Sequence, residues 1–572
     1  MRQLVLTAAV LALSSTALPL HSQTPTRVDT GVAVPMRDGV VLRADLHRPD
    51  RGGRFPVLVY RTPYGRRETP TDPLVLAAVR RGYAVLLQDV RGRYGSGGVF
   101  QPYRQEGKDG YDTIEWAARQ SWSNGSVGTF GLSYPGAVQW LAAVERPPSL
   151  RAMVPAMTYS RPESFWYSGG VWDGSWLDWT WLNIAPDLRR RLDVAGPRDD
   201  EEVARSWDRD GPAARRYRPM LELPDFKGVA PWYYEWMRHP PKDSWWNWAT
   251  LEGRYGQVEA PVLNLSGWFD EAYGPVGAVE NFQGAGDALV LGPWTHGGMH
   301  RSKAGDREFR PSSRLDYESV VLDWMDRHVK NVDSAPMGPP VRVFVMGANR
   351  WRTADRWPIP GIRLDTMYLL TGKNSREVGK LARGSQPGAR SEAVIRSDPS
   401  HPVSDPFKGR FGAHDYRALE PDPSVAVFES EPLAMPVEII GRVVVELAAT
   451  ATVPDFDLWV QLYDVAPDGT AWNLSTPGTA LQRASYRDGG PQRRLIQPGE
   501  TVRLRMDRLV TANRFLPGHR LRVVVTPQFY PLFSVNPQTG SQEFESDSVR
   551  AGEIRVGYSS LIVLPVVKAV GR

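Results

Sequence analysis

The chain has 572 residues, a formal net charge of +5, 41% hydrophobic and 10% aromatic residues, and no cysteine. This length exceeds what one ordinary hydrophobic core serves, and it predicts two or three domains. The small net charge and the lack of a long lysine or arginine run argue against nucleic acid and membrane surfaces as partners. Without cysteine the chain has no disulfide, no thiolate chemistry and no lipid anchor on cysteine.

The N-terminus has the pattern of a secretory signal peptide. Arg2 precedes an apolar run over residues 4–13, and small residues continue to Ser22. A membrane anchor would need about 20 continuous apolar residues, and the polar residues 14–16 interrupt this run much earlier. We therefore predict a signal peptide over residues 1–22, cleaved after Ser22, and a secreted or periplasmic protein without a membrane anchor.

Residues 23–157 alternate short apolar runs with helical stretches, which is typical of a parallel sheet covered by helices. The predicted strands are 56–60, 83–89, 127–130 and 152–157, and the predicted helices are 113–120 and 137–145. Two further strands, 262–266 and 288–291, lie in residues 261–340. We expect both segments to contribute to one α/β domain.

A serine stands at a tight turn between a predicted strand and a predicted helix, in Gly131-Leu-Ser133-Tyr-Pro-Gly136. Such a turn exposes the hydroxyl above the end of the sheet, beside a helix N-terminus whose backbone N–H groups can stabilise an oxyanion. The motif predicts that Ser133 is a nucleophile. The alternative is an ordinary strand-to-helix turn, because the string is one residue longer than the usual Gly-x-Ser-x-Gly.

Residues 158–260 contain about half of the chain's 21 tryptophans, separated by charged helix-like stretches. We predict a helical cap inserted into the α/β domain, with aromatic rings that line an acyl pocket over the serine. The alternative for any one ring is that it holds the cap to the sheet. The candidate substrate-binding residues are Trp166, Trp172 and Trp176 in the cap and Phe269 and Tyr273 beyond it.

The two strands after the cap end in an acid and a histidine, Asp270 and His296. A serine triad on an α/β-hydrolase sheet runs in the chain order serine, acid, histidine, and ligands gather beyond the carboxyl ends of parallel strands. We therefore predict the triad Ser133–Asp270–His296. The alternatives are that Asp270 caps the following turn and that His296 is an ordinary loop histidine.

Asp89, at the end of the strand 83–89, is a rival candidate for the catalytic acid. It precedes the serine, so its place in the chain order is wrong for such a triad. We expect Asp89 to pair instead with Arg91 or Arg93 in the loop that follows.

Two donors are predicted for the oxyanion. One is the backbone N–H of Tyr134, the residue after the serine. The second normally comes from the loop after an earlier strand, here residues 61–65, which lack a His-Gly-Gly-Gly run. The hydroxyl of Tyr64 in this loop is the candidate; the alternative is that Tyr64 only packs against the turn.

A proline-rich stretch over residues 334–340 marks a domain boundary. From residue 341 to 572 the chain is rich in strands separated by Gly, Pro and Asp turns. This pattern predicts a β-sandwich.

As a set, these motifs resemble the cocaine esterase and glutaryl acylase group, within the X-prolyl dipeptidyl-peptidase and α-amino-acid ester hydrolase family of serine hydrolases. The resemblance implies an α/β-hydrolase domain (23–157 and 261–340), a helical cap (158–260) and a C-terminal jelly-roll domain (341–572). It also implies Ser133, Asp270 and His296 as the triad, with Tyr64 and the Tyr134 N–H as the oxyanion hole. It rests on residues 61–64, 89–98, 131–136, 267–270, 291–296, 345–351, 462–469 and 536–540.

The sequence departs from the family pattern in two ways. The α-amino-acid ester hydrolases carry an acidic pair soon after the triad acid that grips the substrate ammonium; here Glu271 directly follows Asp270 and no second acid comes close behind. X-prolyl peptidases of this kind carry a large extra N-terminal helical domain, whereas this chain reaches its first strands soon after the signal segment. Amine recognition and X-prolyl specificity are therefore disfavoured.

The predicted function is a secreted serine hydrolase that cleaves carboxylic esters, or amides, through an acyl-enzyme. The alternatives are an α-amino-acid ester hydrolase or β-lactam acylase, an X-prolyl dipeptidyl-peptidase, and, from another class, a catalytically dead carbohydrate- or surface-binding protein. No cofactor or metal is expected, because the histidines lack ligand spacing such as His-Glu-x-x-His. The partner is a small-molecule ester or amide, and the oligomeric state stays open.

Overall fold

The computed structural model describes residues 25–67, 72–371, 377–384, 392–421, 423–557 and 559–568. The predicted signal peptide lies outside these residues. Within them, no helix combines the length and the apolar character that crossing a membrane requires.

Ten strands form the first sheet, and its central strands are buried apolar runs. The strands of the N-terminal part are β1 (Thr26–Pro35), β2 (Val41–Pro49), β3 (Phe55–Thr62), β4 (Ala84–Asp89), β5 (Ser123–Leu132), β6 (Leu150–Ala156), β7 (Tyr167–Ser168), β8 (Val171–Trp172), β9 (Leu263–Phe269), β10 (Ala288–Thr295), β11 (Lys303–Ala304), β12 (Arg307–Glu308), β13 (Val341–Val345) and β14 (Arg350–Ala354). Their order in the sheet is β1-β2-β4-β3-β5-β6-β9-β10-β13-β14, and the strands from β4 to β13 along this path are parallel. Every residue of β3, β4 and β9 is buried, as expected for a sheet covered on both faces.

Helices cover both faces of this sheet. The helices that pack on it are α1 (Asp72–Arg80), α2 (Glu106–Ala118), α3 (Tyr134–Ala143), α8 (Gly274–Ala285) and α9 (Tyr317–His328). Four more helices belong to the cap: α4 (Ser175–Trp179), α5 (Ala185–Leu192), α6 (Asp200–Ala214) and α7 (Pro231–Arg238). Successive side chains of a strand point to opposite faces. Leu58 of β3 accordingly packs in the cluster that contains α1 and α9, whereas Val57 and Val59 pack in the cluster of α2 and α3.

The cap between β6 and β9 contains α4 to α7 and is mostly helical. A π-helix (Thr180–Ile184) runs directly from α4 into α5. The hairpin β7–β8 rests on the C-terminal domain, where the Ser168 hydroxyl donates to the Gly478 carbonyl at 2.5 Å and the Arg483 N–H donates to the Gly169 carbonyl at 2.8 Å. The cap is thus held between the other two parts of the molecule.

The C-terminal domain is built from strands. These are β15 (Ile362–Leu370), β16 (Gly379–Ala382), β17 (Ala393–Ser397), β18 (Ala426–Glu429), β19 (Val437–Ala451), β20 (Asp457–Val465), β21 (Ala471–Asn473), β22 (Leu481–Arg483), β23 (Val502–Phe515), β24 (Arg520–Thr526), β25 (Gly552–Val556) and β26 (Leu561–Val567). The predicted combination of an α/β-hydrolase domain, a helical cap and a C-terminal β domain is confirmed.

The first sheet continues beyond residue 341, where the β domain is predicted to start. Residues 289–291 of β10 pair in parallel with residues 341–343 of β13, and β14 returns antiparallel beside β13. The first sheet therefore extends to Ala354. The two sheets meet here, because β13 and β23 are joined by a bridge between Met346 and Asn513.

Candidate active site

Ser133 lies between β5 and α3 with its backbone in a left-handed conformation, φ 65° and ψ −127°. Its N–H donates to the Ala156 carbonyl at 3.0 Å, and its carbonyl accepts from Gly136 and Ala137 at 2.9 Å. A non-glycine residue in such a conformation is strained by about 1–3 kcal/mol. The turn therefore aims the partly exposed Ser133 side chain away from the sheet.

Small residues and one buried amide hold this turn. A Cβ on Gly131 would lie 2.5 Å from Pro135 Cβ, and one on Gly136 would lie 2.6 Å from the Ala156 carbonyl oxygen. The buried Gln139 Nε2 donates to the carbonyls of Gly131, Pro135 and Val154 at 2.9–3.2 Å. Sequence reasoning missed Gln139, because one amide inside a helix gives no signal that it reaches back to the turn.

The structure brings Asp270 and His296 into direct contact at the ends of the adjacent strands β9 and β10. His296 Nδ1 lies 2.6 Å from Asp270 Oδ1. The carboxylate is fully buried and also accepts from Ser266 Oγ at 2.7 Å and from the Glu271 N–H at 2.8 Å. Because a carboxylate only accepts hydrogen bonds, Nδ1 donates to Asp270; in the neutral imidazole Nε2 is then the acceptor, and in the imidazolium both nitrogens carry protons.

The C-terminal domain also contacts this pair. Thr476 Oγ1 donates to the backbone carbonyl of Asp270 at 2.5 Å. A side chain at position 274 would collide with the carboxylate, because a Cβ there would lie 2.0 Å from Asp270 Oδ2. Asp270 is therefore fixed by the first sheet, by the start of α8 and by the β domain together.

Tyr64, in the loop after β3, lies beside the serine. Its hydroxyl accepts from Trp179 Nε1 at 3.0 Å, and Ser133 is close enough to influence its ionisation. Burial raises the pKa of Tyr64 to about 12, although the hydrogen bond from Trp179 acts in the opposite direction. The phenol therefore stays protonated at neutral pH and keeps a proton to donate.

A buried arginine connects the Tyr64 loop to the cap. The fully buried Arg93 donates from Nε to the Pro63 carbonyl at 2.8 Å, and from Nη1 and Nη2 to the carbonyls of Ile184 and Asn183 at 2.7 and 3.1 Å. Ile184 ends the π-helix that follows Trp179, and π-helical turns are frequent at functional sites. Tyr64 and Trp179 are thus held at a fixed distance.

Tyr134 begins α3, so its N–H is among the helix amides without an acceptor inside the helix. Its ring is fully buried, and its hydroxyl donates to Glu106 Oε1 at 2.7 Å and accepts from the Tyr103 N–H at 3.0 Å. The side chain therefore anchors the first turn of α3 and leaves the backbone N–H beside Ser133.

Negative charge surrounds His296. Burial by itself would lower the pKa of His296, but the charge and hydrogen bond of Asp270 and the charge of Glu271 raise it to about 9. Burial raises the pKa of Glu271 above its ordinary value, against the effect of the nearby His296. The imidazolium form is therefore strongly stabilised at this position.

Two cap carboxyls reach the same region, although they are about 100 positions away in the sequence. Burial raises the pKa of Asp173 to about 7; the hydrogen bond from Ser175 acts against this rise, whereas the charges of Glu271 and Asp178 add to it. Asp178 is paired with Arg215 Nε at 3.1 Å. Neither acid could be found from the sequence, because neither lies close behind Asp270 in the chain.

Asp89 lies apart from this arrangement, and its expected partners are wrong. The fully buried carboxylate accepts from the Arg66 N–H at 2.7 Å and from the Arg66 side chain. Arg91 pairs with Asp109 at 2.6 Å instead, and Arg93 binds the three carbonyls described above. Arg66 follows the loop of the neighbouring strand β3, so only the parallel pairing of β3 with β4 brings it to Asp89.

Among the described residues, no three His, Asp or Glu side chains gather as a metal ion would require.

The chain matches known proteins over nearly its whole length. Residues 38–298 match the family model of X-Pro dipeptidyl-peptidase (S15 family), and residues 337–556 match that of the X-Pro dipeptidyl-peptidase C-terminal non-catalytic domain. The chain is 33% identical to cocaine esterase of Rhodococcus sp. (strain MB1 Bresler), over 95% of this chain and 99% of the relative. The chain belongs to the S15 family of serine hydrolases.

Other relatives of this serine hydrolase agree with the assignment. It is 28% identical to a protein of Mycobacterium bovis described as a serine esterase, over 94% of this chain and 95% of that protein. Two solved structures share its fold. An aminopeptidase from the marine sediment archaeon Thaumarchaeota archaeon has a TM-score of 0.78 at 23% identity and covers 98% of this chain and 99% of its own. An α-amino acid ester hydrolase has a TM-score of 0.77 at 24% identity and covers 98% and 100%.

Three of the five aromatic residues predicted to bind substrate are buried in packing contacts of the serine hydrolase. Trp166, Trp172 and Phe269 are each 0% exposed. Trp166 stacks among cap aromatics, Trp172 packs on Tyr167, Tyr233 and Phe544, and Phe269 packs on Phe309. These contacts account for the burial of the three rings, and their role towards substrate stays a prediction.

The other two predicted aromatics lie nearer the site and stay predictions. Trp176 packs on Trp179 with ring centroids 5.3 Å apart. Burial, and after it the charge of the nearby Glu271, raises the pKa of Tyr273 well above its ordinary value. The partly exposed Trp179, which sequence reasoning did not single out, is the cap ring that reaches Tyr64.

Glu271→Gln should lower the pKa of His296 from about 9, because it removes one of the negative charges that stabilise the imidazolium. The imidazole signals would be followed by NMR against pH, with His296→Asn to assign the resonance. Glu201→Gln is the matched control, since that side chain is 81% exposed and should leave the titration of His296 unchanged. The same His296 pKa in Glu271→Gln as in the parent would contradict this account.

Proposed function

We propose that this serine hydrolase cleaves carboxylic esters through an acyl-enzyme, with Ser133 as nucleophile, His296 as base and Asp270 as its orienting acid. The observation that carries the proposal is the 2.6 Å contact between Asp270 and His296, at the same sheet edge as the strained turn of Ser133. Esters are favoured over amides because the Rhodococcus relative is named a cocaine esterase.

In the proposed reaction, Ser133 Oγ attacks the ester carbonyl while His296 Nε2 accepts its proton. The Tyr64 hydroxyl and the Tyr134 N–H donate to the developing oxyanion. His296 then protonates the leaving alcohol. A water molecule, deprotonated by His296, hydrolyses the acyl-enzyme and releases the acid.

Ser133→Ala should lower kcat by about 10⁶-fold, because the nucleophile is lost. The same variant should no longer react with a fluorophosphonate probe, measured by intact-protein mass spectrometry. Ser244→Ala, an exposed serine of the cap, is the control and should label fully. Full labelling of Ser133→Ala would remove the serine from the mechanism, whereas a parent protein that neither labels nor turns over would favour the non-catalytic binding protein.

Tyr64→Phe should lower kcat by about 10²–10³-fold, as expected when one oxyanion donor is removed.

Trp179→Phe should lower kcat by about tenfold with little change in KM, because the indole N–H occupies an acceptor position of the Tyr64 hydroxyl and so directs its proton towards Ser133.

A double-mutant cycle separates this positioning role of Trp179 from a loss of packing. If Trp179 acts through Tyr64, Trp179→Phe should have no further effect on kcat in the Tyr64→Phe background. Trp207→Phe, elsewhere in the cap, is the control. Independent, multiplying losses in the double variant would refute the coupling.

A second candidate function is the hydrolysis of α-amino-acid esters. The observation that favours it is the pair of carboxyls Glu271 and Asp173, which are close enough for the charge of Glu271 to act on Asp173. Within the described residues Asp173 has no lysine or arginine at ion-pair distance. An unbalanced carboxylate pair attracts an ammonium group. The fold is also shared with an α-amino acid ester hydrolase.

The second candidate predicts a preference above about 100-fold in kcat/KM for phenylglycine methyl ester over phenylacetic acid methyl ester, or about 2.7 kcal/mol. Asp173→Asn should reduce that preference, while Asp208→Asn, in the exposed part of α6, should keep it. Comparable rates for the two esters would reject the second candidate and leave the esterase proposal intact.

We also propose that the protein is exported and acts outside the cytoplasm. The support is the apolar run over residues 4–13 followed by small residues up to Ser22. The exported protein should begin at Gln23, as read by N-terminal sequencing. A cytoplasmic protein that retains Met1 or Arg2 would contradict this.

A further inference from the structure

A second cavity, of about 700 Å³, lies between residues 92–104 and the cap helices α5 and α7. Its volume is in the range of sites that hold small organic ligands. None of Ser133, Tyr64, Asp270 or His296 lines it. The cavity is therefore separate from the proposed catalytic site.

Aromatic rings form the walls of this second cavity. Phe100, Trp232, Trp236, Trp245 and Trp248 all line it. Trp232 and Trp236 have ring centroids 4.6 Å apart, and Phe100 meets the edge of Trp232 at 6.1 Å. Such walls fit the faces of a flat apolar ring.

One aromatic layer separates the second cavity from the Ser133 site. Trp232 packs on Trp179 with ring centroids 5.8 Å apart, and Phe100 packs on Tyr134 at 6.4 Å. A ligand in the cavity would contact Trp232 and Phe100, the rings that pack on Trp179 and Tyr134.

Three arginines and one glutamate line the cavity, and two of the arginines are already engaged. Arg238 pairs with Glu235 at 3.3 Å. Arg191 donates to the Ser96 carbonyl at 2.9 Å and to the Tyr94 carbonyl. Glu235 also lies 3.1 Å from His239 Nε2, so its charge is matched by neighbours of its own.

Arg104 is different, because in the part of the chain that the structure describes its guanidinium has neither a carboxylate within ion-pair distance nor a side-chain hydrogen bond. It lies over Trp245 at 5.1 Å and over Trp248 at 5.2 Å from the ring centroids. Arg104 is an exposed residue, so its N–H groups are open to a bound anion. Stacking on two rings orients the planar guanidinium without occupying its N–H groups.

We propose that this second cavity binds an aromatic carboxylate, with the ring between the tryptophans and the carboxylate on Arg104. Arginine is suited to a carboxylate because its fork of N–H donors matches the two oxygens. Aromatic walls alone would also suit an organic cation, but the excess of arginine over acid repels one. The proposal does not depend on the proposed esterase activity.

The test is calorimetric titration of the full-length Ser133→Ala protein with 2-naphthoate and with neutral 2-naphthamide, so that neither compound is turned over. We expect one 2-naphthoate per chain, bound at least tenfold more tightly than the amide. Arg104→Gln should reduce the affinity for the acid to that for the amide. Lys108→Gln, the same loss of charge at an exposed position outside the cavity, should keep the tenfold difference.

A second variant tests the place of binding without touching the charge. Val99, on the cavity rim, is 72% exposed, so Val99→Trp should fold and should weaken binding of both compounds by obstructing the cavity. The proposal is overturned if 2-naphthoate does not bind or if the acid and the amide bind equally. It is also overturned if Lys108→Gln loses the tenfold preference for the acid as Arg104→Gln does, or if both compounds bind Val99→Trp as tightly as the parent.

Discussion

The left-handed backbone at Ser133 is the constraint on which the rest of the site depends. A serine at φ 65° is strained, so the surrounding structure has to hold it in place. Gly131 and Gly136 leave the space that the tight turn needs, and Gln139 ties three carbonyls around it. These contacts are all local to β5, α3 and β6, so the turn is set by one strand–turn–helix unit and its neighbouring strand.

The proposed partners of Ser133 come from separate parts of the molecule. Asp270 and His296 follow adjacent strands, Tyr64 lies in a loop of the first sheet, and the indole that binds Tyr64 belongs to the cap. Thr476 of the β domain contacts the Asp270 carbonyl. The sheet, the cap and the β domain each provide different atoms. The described site is therefore complete only when the three are packed together.

The features that could be predicted from the sequence are those that depend on residues close together in the chain, such as apolar runs and turn motifs. Buried apolar runs located the central strands, and the observed β3 (Phe55–Thr62) contains the predicted 56–60. Asp270 and His296 could be chosen because strand ends and chain order restrict the candidates. The roles of Trp166 and Trp172 could not be read, because a tryptophan that packs a cap and one that lines a pocket have the same sequence signature.

Pairings between residues far apart in the chain could not be predicted from the sequence, because they depend on which strands become neighbours and on where the cap lies. Arg66 reaches Asp89 only through the pairing of β3 with β4, and Asp173 approaches Glu271 only after the cap has folded over the sheet. The boundary at residue 341 stays a prediction, because β13 is a strand in either domain and only its partner β10 tells which sheet it joins.

The bond between Trp179 and Tyr64 has a consequence for how such enzymes can diversify. The cap is the natural segment to exchange when a new substrate range is sought, since it is inserted between β6 and β9 and its Trp179 reaches Tyr64. Here the cap also carries the indole N–H that orients the Tyr64 hydroxyl, and its π-helix accepts from Arg93. A cap transplanted from a relative would therefore change kcat as well as substrate selectivity, unless the new cap brought an equivalent N–H donor for Tyr64. The two properties would then change together.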